Sequence, residues 1–205
     1  MYRIILASES PRRKEIMEQM GIYYESMPAN VTEETVESDP YDMVKALACL
    51  KARSVAVEVQ SRQEDLIIIG ADTLVFHKGK ALGKPKDRED AIEMLEAISD
   101  DHHEVCTGVC IIIRRYSHES DNRTEKEITF SVSTEVVVNP LTREQIEDYV
   151  DTKEPLDKAG AYAIQGGFGI YIKEIHGDYY NIVGFPIAKI YEELITYGIN
   201  IKKLK

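Results

Sequence analysis

The chain alternates between apolar runs that predict strands and apolar stripes that predict helices. A short apolar run from Arg3 to Ala7 is followed by Ser10 and Pro11, a pair typical of a helix start. From Leu66 to Phe76 nearly every residue is apolar, which predicts a strand covered on both faces. Asp72 interrupts that run, so the predicted strand carries a carboxylate inside it.

Helices and strands continue to alternate along the rest of the chain. Helices are predicted from Pro40 past Val55, from Asp87 to Ala97, from Thr142 to Val150 and from Pro186 to Tyr197, and strands at Glu104–Arg115, Glu127–Val138 and Phe168–Ile175. The first two of these strands should pair antiparallel. No internal repeat and no long Pro/Gly linker divides the chain. The pattern therefore predicts a single domain over residues 1–205 of the α/β class, with a mixed, long-stranded sheet flanked by helices.

The charge of the chain argues against several kinds of partner. Its 205 residues include 25 Lys and Arg against 36 Asp and Glu, a formal net charge of -11. Such a molecule repels phosphate, so neither nucleic acid nor an anionic membrane surface is an expected partner. An anionic small ligand would need a local cluster of cations or a divalent metal ion.

The lengths of the apolar runs and the pattern of cysteines indicate the cellular compartment of the protein. No run approaches the length of a membrane-spanning helix, and the N-terminal run is too short for a secretory signal, so a cytoplasmic protein is expected. Cys49, Cys106 and Cys110 form no C-x-x-C motif and have no His at metal-ligand spacing. They predict reduced, buried thiols rather than a disulfide framework or a zinc site.

The opening segment is a candidate phosphate site. Neither the Walker A motif nor a strand-linked G-x-G-x-x-G occurs. Ser8, Ser10, Arg12 and Arg13 instead place two hydroxyls and two guanidinium groups at a helix start with unpaired backbone N–H groups, a set that can hold a polyphosphate. The alternative is that Ser10 and Pro11 merely begin the helix and both arginines are solvated.

Three further side chains are candidates for the same chemistry. Asp72 lies in an apolar strand, where a carboxylate is costly unless a cation or hydrogen-bond donors compensate it. Lys51 falls on the apolar stripe of a helix, and Lys84 precedes Pro85 after the predicted strand. The alternatives are an Asp bound by a turn backbone, a Lys51 that snorkels to solvent, and an ordinary surface Lys84.

Six segments, taken in order, resemble a known family. They are Leu6–Arg13, Gly70–Val75, Gly83–Pro85, His103–Val109, Lys158–Gly166 and Asn181–Pro186. Together they are similar to the signatures of the Maf family of nucleotide pyrophosphatases. The resemblance implies an α/β fold in two lobes with a central cleft, related to the inosine triphosphatases. It also implies a homodimer and hydrolysis of a nucleoside triphosphate to the monophosphate and pyrophosphate.

The resemblance also implies roles for individual residues. Asp72 would be the general base that aligns the attacking water. The substrate phosphates would be held by Ser8, Ser10, Arg13, Lys51 and Lys84. Glu33 and Asp72 would bind Mg²⁺ or Mn²⁺. Glu34 could exchange roles with Glu33, and a solvated acidic loop is the alternative for both.

The resemblance also restricts which nucleotide base the substrate is expected to carry. In the subgroup of dTTP/UTP pyrophosphatases the matching positions select the base, and they are Arg12, Thr73 and Gln165 here. A side-chain amide can pair with uracil N3–H and an adjacent carbonyl at once, whereas a purine needs a larger pocket. Ala71-Asp72-Thr73 departs from the Ser-Asp-Gln of the 7-methylguanosine triphosphate subgroup. Discrimination between dTTP and UTP should be weak, because one methyl group is worth about 1 kcal/mol.

Two rival functions predict different behaviour. A nucleotide-responsive regulator of cell division would bind nucleotide with weak or incidental hydrolysis. An enzyme for inosine or xanthosine triphosphate would prefer purines.

Overall fold

The computed structural model describes residues 1–32 and 34–204. Its helices are α1 (Pro11–Gln19), α2 (Pro40–Glu58), α3 (Arg88–Ile98), α4 (Arg143–Asp151), α5 (Tyr179–Val183) and α6 (Ile187–Thr196). Its strands are β1 (Arg3–Leu6), β2 (Glu25–Ser26), β3 (Leu66–His77), β4 (Lys80–Leu82), β5 (His102–Ser117), β6 (Asn122–Val138) and β7 (Ile172–His176). Short 3-10 helices cover Glu154–Asp157, Ala159–Ala161, Gly167–Tyr171 and Ile201–Lys203. Among the described helices, none combines the length and apolar character needed to cross a membrane.

The described strands form one mixed, seven-stranded sheet. Its order is β2-β1-β3-β5-β6-β7, and β4 pairs with β3. Strand β1 is parallel to β2 and β3, whereas β4 on β3 and β7 on β6 are antiparallel. Strands β3, β5 and β6 are long, with 12, 16 and 17 residues. The predicted class, an α/β fold with a mixed, long-stranded sheet and flanking helices, is confirmed.

The chain divides into two compact units, each assembled from separate stretches of sequence. The first comprises residues 1–72, 107–131 and 184–205, and the second comprises residues 73–106 and 132–183. The prediction of a single domain over residues 1–205 stays a prediction, as does the central cleft.

Helix α2 packs very closely against the strands of the first unit. The apolar core there includes Ala48 and Ala52 of α2 and Ile68 of β3. A Cβ atom built on Gly70 would lie 2.4 Å from the carbonyl oxygen of Ala48 and 2.8 Å from the backbone nitrogen of Ala52. At Gly108 of β5 the same atom would lie 2.2 Å from the Val44 carbonyl oxygen. Glycine at these two positions lets the helix backbone approach the sheet.

We expect Gly70→Ala to lower the free energy of unfolding by about 1–3 kcal/mol, because the added methyl group meets helix backbone that cannot rotate away. Urea denaturation measures the change. Gly83→Ala is the matched control, since a Cβ there has no atom within 4 Å and should leave the stability nearly unchanged. Equal stability of the two variants would contradict the close approach.

The second unit has an aromatic core between α3, α4 and the segment that follows them. Phe168 is buried. The centroid of its ring lies 5.1 Å from the ring centroid of Tyr149, 5.0 Å from that of Tyr162 and 5.4 Å from that of Tyr171. Residues 168–175 were predicted as one strand, and this was wrong for the first half. Gly167–Tyr171 form a 3-10 helix, which turns Phe168 and Tyr171 into this aromatic cluster, and only Ile172–His176 continue as β7.

A buried histidine pairs with one of these tyrosines. His103 Nε2 lies 2.7 Å from Tyr162 Oη, and its Nδ1 has no hydrogen-bond partner among the described residues. Burial lowers the pKa of His103 to about 4, with His77 and His102 contributing in the same direction. The imidazole is therefore neutral in the folded protein at neutral pH.

His103 should make the protein sensitive to mild acid. Its ordinary pKa of 6.5 falls to about 4 on folding, so the unfolded state binds the extra proton between these values. Stability is fully present above about pH 6.5 and falls as the pH drops to about 4, by roughly 3 kcal/mol in total. Urea denaturation across this range should show a smaller pH dependence for His103→Gln. The exposed His102→Gln is the control, and an unchanged slope in His103→Gln would contradict the assignment.

Candidate active site

The turn after β1 holds a buried arginine. Ser8 is buried, and its Oγ accepts hydrogen bonds from Arg13 Nη1 at 3.1 Å and from the Ser10 backbone N–H at 3.2 Å. Arg13 Nε donates to the Gly184 carbonyl at 2.8 Å, and Arg13 is only 8% exposed. Ser10 precedes α1 as predicted, but its side chain makes no capping hydrogen bond. The alternative of two solvated arginines is wrong for Arg13, whereas Arg12 is half-buried.

Gly184 contacts a predicted site residue, and sequence reasoning did not single it out. Its φ of 102° lies in the region that favours glycine, and its carbonyl group accepts the hydrogen bond from Arg13. It belongs to the segment Asn181–Pro186, which carried part of the family resemblance. The segment was visible in the sequence, but Arg13, which donates to Gly184, lies 171 positions away along the chain.

Lys51 and Asp72 form an ion pair inside the first unit. Lys51 Nζ donates to Asp72 Oδ1 at 2.5 Å, and the two side chains are 13% and 9% exposed. Asp39 caps α2 by accepting from the backbone N–H groups of Tyr41 and Asp42, and Gly70 allows that helix to lie close to β3. The predicted cation for the buried carboxylate is therefore Lys51, and the alternative of a snorkelling lysine is wrong.

Strand pairing brings the serine turn beside this ion pair. Leu6 of β1 lies opposite Ile69 of β3 in a parallel pair, and the Ala7 N–H donates to the Ile69 carbonyl at 2.9 Å. Ser8 therefore follows β1 at the level where β3 continues through Gly70 to Asp72. Ligands of α/β sheets commonly bind at this carboxyl end of parallel strands. The first unit thus gathers Ser8, Arg13, Lys51 and Asp72 at one edge.

The predicted metal ligands are only partly described. Glu33 lies outside the described residues. Its alternative Glu34 is exposed and lines a cavity together with Glu37 and Asp42. Asp72 offers a carboxylate, the ligand type that Mg²⁺ and Mn²⁺ prefer, in a place where it already accepts from one cation. The donor chemistry of Asp72 fits such an ion.

The remaining predicted residues belong to the second unit. Thr73 is half-buried and directly follows Asp72 in β3, and Lys84 is exposed between β4 and α3. The Gly160 N–H donates to the Gly83 carbonyl at 3.0 Å, so Lys84 adjoins the segment that leads to Gln165. This hydrogen bond joins two of the family-like segments.

Gln165 lies exposed in a tight turn of that second unit. The Gly166 N–H donates to the Ala163 carbonyl at 3.1 Å, and the Ala163 N–H donates to Tyr149 Oη at 3.2 Å. A Cβ on Gly166 would lie 1.4 Å from a carboxylate oxygen of Glu154. The turn is thus held by α4 and the 3-10 helix after it, and Gln165 projects from a fixed backbone.

A mixed α/β sheet that brings a buried arginine and a lysine–carboxylate pair to the carboxyl end of a parallel strand defines a protein suited to anionic ligands. The chain belongs to the Maf family, because residues 3–197 match the sequence model of Maf-like proteins. It is 47% identical over 203 residues to the dTTP/UTP pyrophosphatase of Lachnoclostridium phytofermentans, covering 99% of both chains. It is 45% identical over 203 residues to the dTTP/UTP pyrophosphatase of Bacillus cereus, covering 98% of both.

Among solved structures, the chain is similar to the nucleoside-triphosphatase / dITP/XTP pyrophosphatase of Mycobacterium abscessus. That similarity has 14% identity and a TM-score of 0.33, over 67% of this chain and 73% of that one.

Proposed function

We propose that the protein is a nucleoside triphosphate pyrophosphatase that hydrolyses dTTP and UTP to the monophosphate and pyrophosphate. The observation that carries the proposal is the nearly buried pair of Lys51 and Asp72, next to the turn that holds Arg13. Relatives about equally long and 43% to 47% identical are named for this reaction, which supports the same substrate class here.

Phosphate binding is assigned to cations at fixed positions. A net charge of -11 repels a triphosphate at long range, so short-range donors must hold it. Arg13 is oriented by Ser8 and Gly184, and an oriented guanidinium can donate to phosphate with little loss of side-chain entropy. Lys51 and Lys84 would supply the other charges, with Ser8 and Ser10 as hydroxyl donors.

Asp72 is assigned the role of the general base that activates the attacking water. Its carboxylate would accept a proton from the water that attacks the α-phosphorus, and pyrophosphate would leave as the bond between the α-phosphorus and the bridging oxygen breaks. In the structure this carboxylate accepts from Lys51. When Lys51 turns to a phosphate oxygen, the carboxylate gains capacity to accept from water.

A divalent ion is part of the proposal. Asp72, with Glu33, would hold Mg²⁺ or Mn²⁺, which neutralises charge on phosphate oxygens when bound. The ordinary preference of these ions for oxygen ligands matches both side chains.

Base selection is assigned to Arg12, Thr73 and Gln165. The amide of Gln165 projects from a turn whose backbone is fixed at Ala163 and Gly166, which suits it to read the edge of a uracil or thymine ring. We also propose that the protein is a homodimer and that it is located in the cytoplasm.

Product analysis tests this function. The purified protein is incubated with dTTP, UTP, CTP, GTP, inosine triphosphate and 7-methylguanosine triphosphate, with Mg²⁺ or Mn²⁺, and the products are resolved. We expect monophosphate and pyrophosphate from dTTP and UTP at similar rates. Diphosphate with orthophosphate would contradict cleavage at the α-phosphorus, and purine preference would contradict the base assignment. Nucleotide binding without turnover would favour the regulatory alternative.

Removal of the metal tests the cofactor. EDTA should abolish hydrolysis, and an excess of Mg²⁺ or Mn²⁺ should restore it. EDTA-insensitive hydrolysis of dTTP would contradict the assignment of a divalent ion while leaving the substrate class in place.

A further inference from the structure

Three metal-ligating side chains meet within the first unit, on α2, β5 and β6. The Sγ atoms of Cys49 and Cys110 and a carboxylate oxygen of Glu127 all lie within 4.8 Å of one another. Cys49 and Cys110 are buried, and Glu127 is exposed. These three residues are far apart along the chain, so no sequence motif of metal-ligand spacing identifies them. Among residues 1–32 and 34–204, this is the group whose geometry suits a metal ion.

One member of this group, Cys49, has a route to solvent through a cavity. Cys49 lines a cavity of about 550 Å³. The cavity is also lined by the carboxylates of Glu34, Glu37 and Asp42 and by the cations of Lys45 and Arg53. Three negative charges against two positive ones favour the entry of a cation. Cys49 is separated from Lys51 by two positions on α2, so the two side chains leave the helix on different sides.

The exposed carboxylate is already oriented. Arg53 donates from Nε to Glu127 Oε2 at 2.8 Å and from Nη2 to Glu127 Oε1 at 2.7 Å. Hydrogen bonds of this kind commonly position metal-binding carboxylates. Thr129 Oγ1 lies 3.3 Å from Cys49 Sγ and gives that sulfur a polar neighbour.

We propose that Cys49, Cys110 and Glu127 form a binding site for a thiophilic divalent ion such as Zn²⁺. Binding releases the two thiol protons to water and forms two metal–sulfur bonds and one metal–oxygen bond. The charges balance, because two thiolates and one carboxylate offset the ion together with the Arg53 guanidinium. Three protein ligands leave one position of a tetrahedral ion for water from the cavity.

Sulfur ligands separate this site from the ion proposed for hydrolysis. Mg²⁺ and Mn²⁺ prefer oxygen ligands, whereas Zn²⁺ and Co²⁺ accept thiolate. The site joins α2 to two strands of the first unit. A bound ion should therefore stabilise the packing of the helix that carries Lys51, since a ligand of the native state raises stability by mass action.

Cobalt absorption tests the site without reference to activity. The full-length protein, reduced and freed of metal, is titrated with Co²⁺ and then with Zn²⁺. We expect thiolate-to-cobalt charge-transfer absorption that saturates at one ion per chain. Zn²⁺ should remove the absorption, and excess Mg²⁺ should not. Reduced wild-type protein that gives no such absorption overturns the proposal.

Matched variants identify the ligands. Cys49→Ser and Cys110→Ser should each weaken Co²⁺ binding by about 100-fold or more, whereas Cys106→Ala, a buried cysteine outside the group, should bind as the wild type does. Glu127→Gln changes an exposed side chain and is expected to fold, and it should weaken binding about tenfold or more. Unchanged affinity in Glu127→Gln, or equal loss in Cys106→Ala, overturns the assignment.

Discussion

Replacing Asp72 with asparagine should lower the turnover of dTTP and UTP by about 100- to 10,000-fold, the usual contribution of a general base. The amide keeps the shape of the side chain and an oxygen that can accept from Lys51, whose ammonium lies 2.5 Å from the carboxylate. It cannot take a proton from water, and it is a poor ligand for a divalent ion. Pyrophosphate release under saturating substrate measures the change.

The fold of this variant must be checked alongside its rate. Circular dichroism and a thermal melt should show a folded protein, because the substitution alters one atom of a side chain that is 9% exposed. Asp65→Asn provides a control carboxylate in the first unit whose loss should leave turnover near that of the wild type. Near-normal turnover of Asp72→Asn would remove this residue from the mechanism.

The sequence predicted the frame of the site well where the signal was local. Pro11 and Pro40 at the first helical position placed the starts of α1 and α2, and Thr142 with Gln145 forms the predicted capping box of α4. The buried run of β3 was also recognised, since its apolar residues are continuous over 12 positions. Such features depend on residues within one turn or one strand.

What the sequence left open depends on partners that are distant along the chain. A buried aspartate required a cation, but the pattern could not choose Lys51 among 25 basic residues. The close approach of α2 to β3 at Gly70 selects Lys51, because it brings the helix that carries Lys51 next to the strand that carries Asp72. The carbonyl of Gly184 that orients Arg13 is likewise a long-range contact. Phe168 was misassigned to a strand because two of its ring contacts, Tyr149 and Tyr162, come from other segments of the chain.

Lys51→Met should lower the free energy of unfolding by about 3 kcal/mol, because it removes a cation that contacts a nearly buried carboxylate. Methionine keeps most of the apolar stem of lysine, so lost packing contributes little. The Asp72 side chain is 9% exposed, in an environment that solvates charge poorly. Urea denaturation at neutral pH measures the loss.

The double variant separates this charge effect from other causes. With Asp72→Asn added to Lys51→Met, neither charge remains, so much of the lost stability should return and the double variant should be more stable than Lys51→Met alone. The return occurs because a neutral amide needs no cation, whereas a nearly buried carboxylate does. If the losses of the two single variants simply add, the pair carries no coupling. The ion pair would then not be what holds Asp72 in place, and the proposed exchange of Lys51 between carboxylate and phosphate would lose its physical basis.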